Sequence, residues 1–387
     1  MGKSMRIDEE YIVSMAVKLV RINSENPPGR EAEIASFLAE RISELGLKAR
    51  VDRFDDRANC EGSLRWGEGA RILLLTHLDT VPAESGEAWS IPPFEGVIRE
   101  ERVYGRGAAD AKGSIASMLG ALKAIADSGL KLGGEVIFAA VADEEVESQG
   151  VRRLLASGLK ADYAVVGEPT SLQVCVAHKG RLVISAKFVG RQAHSSMPDQ
   201  GINALYAASD FTLNVESLSR KLLERRHHLL GSPTIAVTVL RGGEKDNMIP
   251  DSSEALIDRR TLPGEALETI LEELRRISER SANRYGARSE LRVVRWIPPA
   301  ETDPRSKIAM VAADAVRRVL GIKAEPRGFQ ATCDMSFLVN QAHIPSIILG
   351  PGGLEQAHSV DEWVSIRELT AAAEIYFLII SEILCQE

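Results

Sequence analysis

Apolar and polar residues along this chain follow two rhythms, and the change from one to the other predicts its elements. Residues 8–23 and 31–45 show helical spacing. In the second, Ile34, Phe37/Leu38, Ile42 and Leu45 share a face and Gly46 supplies a stop. SENPPGR between them reads as a turn. Ala49–Phe54 and the aliphatic run Ile72–Leu75 read as strands, which predicts a βαβ-type start. A proline-broken loop from Val81 then leads to a short strand or hairpin over Gly96–Tyr104. A helix striped by Ile115, Met118/Leu119, Leu122 and Ile125 follows. After it come a strand at Glu135–Val141, a helix at Val151–Leu159 and a short strand at Tyr163–Val166.

Near residue 180 the rhythm changes. Arg181–Val189, Thr234–Leu240, Glu254–Thr261 and Glu290–Trp296 read as strands, and Asn203–His228 and Leu267–Asn283 as helices. Their order, β-α-β-β-α-β, is that of a split, ferredoxin-like α+β domain. Helical spacing over Ile308–Leu320 and beyond Ala331, a strand at Ser346–Leu349 and a closing helix from Ile366 restore the first pattern. The expectation is an α/β fold with a mixed sheet flanked by helices, formed by residues 1–179 and 298–387, with residues 180–297 inserted as a second domain.

Chemistry-bearing residues gather where the buried strands end. His77 and Asp79 follow Ile72–Leu75, and two residues apart on an extended chain they point the same way. Asp110 follows a glycine-rich turn and precedes a helix. Asp143, Glu144 and Glu145 follow Glu135–Val141, Glu168 follows Tyr163–Val166, and His358 lies in a loop after the GPGG turn. Adjacent acids at a strand end repel one another unless a cation or solvent absorbs the charge. Independent surface charges have no reason to choose one sheet edge, so a metal site is the reading. Imidazole nitrogen with carboxylate oxygen suits zinc, and a pair of ions about 3.5–4 Å apart shares a bridging carboxylate and a water. One of Glu144 and Glu145 then binds metal while the other serves as base.

Composition narrows the setting. The 387 residues carry a net charge of −8 with no basic domain, which argues against a nucleic-acid surface. Four cysteines, Cys60, Cys175, Cys333 and Cys385, lack CxxC spacing and fit a reducing cytoplasm. The start MGKSMRIDEE has no apolar core of a secretory leader, and Arg6 stands where myristoylation needs Ser or Thr. The most apolar stretch, Ile375–Ile380, is far short of the roughly 20 residues that span a bilayer.

HLDTVP, GRGAADAKG, ADEE, GEPT, GRQAHSSMP and GPGGLEQAHSVDEW, in this order, resemble the M20 family of zinc-dependent amidohydrolases and exopeptidases, in the branch of acetylornithine deacetylases and succinyl-diaminopimelate desuccinylases. The resemblance implies a zinc-exopeptidase-like core, with the inserted domain acting as lid and dimerisation domain of a homodimer. It implies two Zn2+ per subunit, with Co2+ or Mn2+ as substitutes. His77 and Glu168 would bind one ion, Glu145 and His358 the other, and Asp110, followed by a cis peptide, would bridge. Asp79 would hydrogen-bond His77, and Glu144 would be the general base. His194 would stabilise the oxyanion, often in the neighbouring subunit's site, and Arg260 would grip a substrate carboxylate. Arg259 should face the other side of that strand. Asn247 and Gly352 are further candidates for substrate contact. His178, at the domain junction, and His343 match no ligand role, and His227 and His228 read as surface residues of a helix. The implied reaction is hydrolysis of a small N-acyl amino acid to an acid and a free amine. A carboxypeptidase or dipeptidase on short peptides is the alternative, and a metal-free binding protein is the reading from another class.

Overall fold

The computed structural model describes residues 7–83 and 88–385. The first six residues, on which the leader and lipidation readings rest, lie outside it, as do 84–87 of the loop after Val81. The chain divides into two compact units. One is built from residues up to Ala177, Thr302–Phe329 and the chain from Cys333; the other is His178–Glu301 with Gln330–Thr332.

In the first unit a mixed sheet runs in the order Lys48–Phe54, Arg57–Arg65, Glu135–Val141, Arg71–His77, Tyr163–Val166, Ser346–Ile348, Cys175–His178. Ile72, Leu73, Leu74 and Leu75 are wholly buried, each worth about 1.5–3 kcal/mol relative to exposure. Helix Gly113–Ser128 packs against Glu9–Arg21 and Ile366–Leu384, and both it and the last helix touch the Arg71–His77 strand. Gly120 permits that closeness: a Cβ there would lie 2.4 Å from Ile12 Cγ1. Ile375–Ile380, the most apolar stretch, lies in the closing helix and supplies buried residues to the core.

Two expectations need correction. The start is not βαβ. Arg57–Arg65, unread as a strand, pairs antiparallel with Lys48–Phe54 on one side and Glu135–Val141 on the other. Its inward residues include Ala58, Asn59, Cys60 and Gly62, too small or polar to show as a hydrophobic run. Asn59 is satisfied by Gly150 O at 2.9 Å and Ala142 N at 3.0 Å. The second correction is that helix Ala204–Leu222 stops short of His228. Beyond it, Leu-Glu-Arg-Arg-His-His offers no apolar stripe to bury, and the chain turns.

The second unit is an antiparallel sheet in the order Thr234–Gly242, Ser252–Thr261, Gly180–Val189, Arg288–Ile297. In chain order that is 2-3-1-4, the arrangement of the split βαβ motif. Helices Ala204–Leu222 and Leu267–Arg284 close a core of Leu182, Ile184, Phe188, Phe211, Val215 and Leu274. Residues of Ser252–Thr261 alternate in burial, so Arg259 is inside, paired with Glu265 at 2.7 Å, and Arg260 is on the other face.

Candidate metal centre

Three parallel strand ends assemble the site in the first unit. Arg71–His77 lies between Glu135–Val141 and Tyr163–Val166, with His77 opposite Val141 and Leu75 opposite Val166. The shared register therefore puts His77, the Asp143–Glu145 turn and Glu168 at one sheet edge, where open α/β sheets form their crevices.

His77 Nε2 lies 3.0 Å from Asp110 Oδ1 and 3.9 Å from Glu168 Oε2. His358 Nε2 lies 3.3 Å from Asp110 Oδ2 and 3.0 Å from Glu145 Oε1. One carboxylate thus spans two imidazoles, a different oxygen toward each. The donor set, two imidazole nitrogens and three carboxylates, fits a pair of divalent ions. Glu168 Oε1 adds to the fit, being buried without a hydrogen-bond partner, which is costly unless a cation takes the lone pair.

The shell behind these groups fixes their directions. His77 Nδ1 faces the main-chain oxygen of Asp79 at 2.9 Å, while the Asp79 carboxylate stands off at 3.6 Å. A carbonyl only accepts, so it keeps a proton on Nδ1 and leaves the Nε2 lone pair to the centre. The resemblance gave that duty to the carboxylate. Here the carboxylate chiefly accepts from Glu144 N and Glu145 N, both at 3.1 Å, and from Asn26 Nδ2 at 2.9 Å. Asn26 Nδ2 also reaches Asp143 Oδ1 at 2.8 Å, and Arg57 joins Asp143, Asn26 and buried Glu31.

Asp110 does not cap a regular helix. It is extended between Ala108 and the helix that begins at Gly113, and its peptide to Ala111 is cis. Buried Glu362 organises that loop. Its Oε1 accepts from Ala109 N at 2.9 Å and Asp110 N at 3.0 Å, and its Oε2 from Gly107 N at 3.0 Å and Arg106 Nη1 at 2.7 Å. Gly107 has φ +83°, and a Cβ there would meet Thr80 Cγ2 at 2.6 Å. Arg106 in turn donates to Ser359 O at 3.2 Å, beside His358.

Burial and crowding of like charge set the electrostatics. Burial, then the charge of Glu168, pushes Glu144 well above the usual carboxylate range. Burial does the same to Glu168 and raises Glu145. Asp334, also buried, is pushed up to about 7. Burial alone would lower His77, but its carboxylate neighbours Asp110 and Asp79 carry it well above the imidazole range. Hydrogen bonds to the Asp110 and Glu145 carboxylates raise His358 to about 10. Asp110 is held low against its burial by the two imidazoles. Such a set of acids, each wanting a counter-charge, is what a cation site needs.

His77, Asp110, Glu144, Glu145, Glu168 and His358 therefore meet, with Asp79 behind them. Gly352 is a buried turn residue of the same unit whose N–H is taken by Glu368 at 2.8 Å and whose carbonyl accepts from Ser171, which leaves it no free donor for a substrate. In the second unit His194 is exposed, its Nδ1 2.8 Å from Ser196 Oγ, and it sits beside Asn247 through the Ser195 N to Asn247 O bond of 3.0 Å. Arg260 bonds Asp258 at 2.9 Å near the far end of the Ser252–Thr261 strand. His178 is buried, its Nδ1 2.9 Å from Lys179 O and its Nε2 without a partner; burial pushes it down to about 4. His343 is exposed. Sequence reasoning gave no part to Asn26, Arg57, Glu362 or Asp334. For Glu362 a signal existed, an acid one turn of chain past His358.

The model of peptidase family M20/M25/M40 matches residues 73–382. The chain belongs to that family. An acetylornithine deacetylase of Edwardsiella ictaluri (strain 93-146) is 33% identical over 338 residues, covering 86% of each chain. A tripeptidase from Staphylococcus aureus superposes with a TM-score of 0.81 at 23% identity, covering 98% of this chain and 99% of that one. A Bacillus subtilis protein described as a dinuclear metal binding peptidase of the M20 family does so with 0.74 at 18%, over 97% and 98%. These superpositions bear out the mixed α/β fold. As an M20 member the chain is a metallohydrolase of amide bonds. Among the described residues no helix is long and apolar enough to cross a membrane.

Proposed function

We propose that this M20 chain holds two Zn2+ per subunit and hydrolyses the amide bond of a small N-acyl amino acid, in the manner of the acetylornithine deacetylase it resembles. The observation that carries the reading is the Asp110 carboxylate spanned between His77 and His358, with Glu145 and Glu168 at either side and Glu144 left over. Bound cations would supply Lewis acidity and a lowered water pKa at those residues. Glu144 takes a proton from the attacking water and returns it to the amine nitrogen as the C–N bond breaks. Raised proton affinity suits a base that works near neutral pH.

Arg260 grips the substrate carboxylate and His194 donates to the oxyanion, with Asn247 beside it. His194 follows the end of Gly180–Val189 that pairs with Ser252, whereas Arg260 pairs with Arg181 near the other end. A ten-residue strand separates them, roughly 30 Å at about 3.3 Å per residue. That span supports a homodimer in which one subunit's His194 serves its partner's substrate. The scattered cysteines support a cytoplasmic setting.

The deciding experiment compares kcat/KM for N-acetylornithine, N-succinyl-diaminopimelate, other N-acyl amino acids and dipeptides on zinc-loaded protein. An N-acyl amino acid should lead the panel. A dipeptide turned over faster than every N-acyl amino acid would replace this reading with the peptidase one.

A further inference from the structure

Past the helix Ala204–Leu222 the chain closes a small loop. His227 N donates to Gly231 O at 2.8 Å, Gly231 N donates to His227 O at 3.0 Å, and Leu230 between them is buried. On a helix, consecutive side chains diverge by about 100°. This loop instead brings the His227 and His228 rings together, tilted by 35° with centroids 4.5 Å apart. Both rings face one carboxylate. His227 Nε2 is 3.3 Å from Glu301 Oε2, and His228 Nε2 is 3.9 Å from Glu301 Oε1. Among the described residues the ion pairs of Glu301 are with these two rings, and one ligand atom from each of the three residues lies within 4.8 Å of the others.

We propose that His227, His228 and Glu301 form a further metal site, sharing no ligand with the catalytic centre, for a borderline divalent cation such as zinc. Two imidazoles and one carboxylate favour zinc, nickel or copper(II) over calcium or magnesium, which take all-oxygen sites. Ligands about 2.0–2.1 Å from a tetrahedral ion stand about 3.3 Å apart. The His227–Glu301 pair already has that spacing. His228, whose side chain is 65% exposed, has room to swing in. Leu229 N donates to His227 Nδ1 at 3.2 Å, so the neutral ring carries its proton on Nε2, towards Glu301. A cation on Nε2 requires the other tautomer: the proton moves to Nδ1 and the Leu229 bond opens. Water fills the fourth position. The ion would tie the loop after the long helix to the end of the His178–Glu301 segment of this unit, and binding only the folded state would stabilise it by mass action.

The test is zinc content at equilibrium. Full-length protein, His228→Ala and Glu301→Gln are dialysed against micromolar free Zn2+ and assayed for metal by mass spectrometry. Neither variant touches the catalytic groups; His228 is exposed and Glu301→Gln conserves shape, so both should fold, which their circular dichroism checks. The expected result is one zinc fewer per chain in each variant, with kcat/KM within two-fold of the parent. In 15N spectra of the parent, zinc should move the His227 proton from Nε2 to Nδ1. Equal zinc content in all three proteins would overturn the proposal. Because the readout is a difference between proteins, it holds whatever number of ions the catalytic centre takes.

Discussion

On the mechanism proposed above, a single side chain, Glu144, would decide whether this centre turns over or only binds. Glu144 makes no bridge between the imidazoles, yet its main chain is fixed by Asp79 and its carboxyl is kept proton-hungry by burial and by Glu168. Glu144→Gln should keep its zinc and lose about two to four orders of magnitude in kcat, the usual worth of a positioned base. His77→Ala should lose metal as well as rate. Metal analysis beside the kinetics checks both, and an unchanged rate in Glu144→Gln would remove the base assignment. The residues that meet at the candidate centre were legible as a group because each follows a buried strand or sits in an ordered motif. Asn26 and Arg57 were not, because their part comes from a fold-back that joins residues far apart in sequence.

At the level of elements, the loop of Asp110 and the loop of His358 are one device. Glu362 takes three main-chain N–H groups and the Arg106 guanidinium, and Arg106 reaches Ser359. Glu362→Gln replaces an accepting oxygen with an N–H2 group and leaves buried donors facing a donor. About 1–3 kcal/mol of stability should be lost per donor stranded, and zinc should leave at lower chelator concentration. Denaturant unfolding with and without chelator measures both. Strands of continuous aliphatics were readable from the sequence for the same reason that they are central: they are covered from all sides. Arg57–Arg65 was unreadable because burial there rests on small residues and a satisfied asparagine. The helix over Asn203–His228 was read too long because propensity carried on past the last residue that packs.

For the molecule as a whole, pH bears on folding through His178. Its folded value of about 4 lies below the ordinary 6.5 because of burial. Above pH 6.5 both folded and unfolded rings are neutral and the stability is intact. As pH falls from 6.5 towards 4 the unfolded chain takes up a proton that the folded one refuses, and stability drains away, by about 3 kcal/mol at 1.36 kcal/mol per unit. His178→Leu should remove that dependence, so its stability relative to the parent should rise across this window. A constant difference between the two, followed by urea unfolding at pH 7, 5.5 and 4, would show that the ring titrates normally. The length of one strand has a consequence of its own. With Arg260 and His194 near opposite ends of Ser252–Thr261, a reaction that used both, as proposed, would have to draw on two chains, so turnover per molecule should fall as the enzyme is diluted and return when it is concentrated.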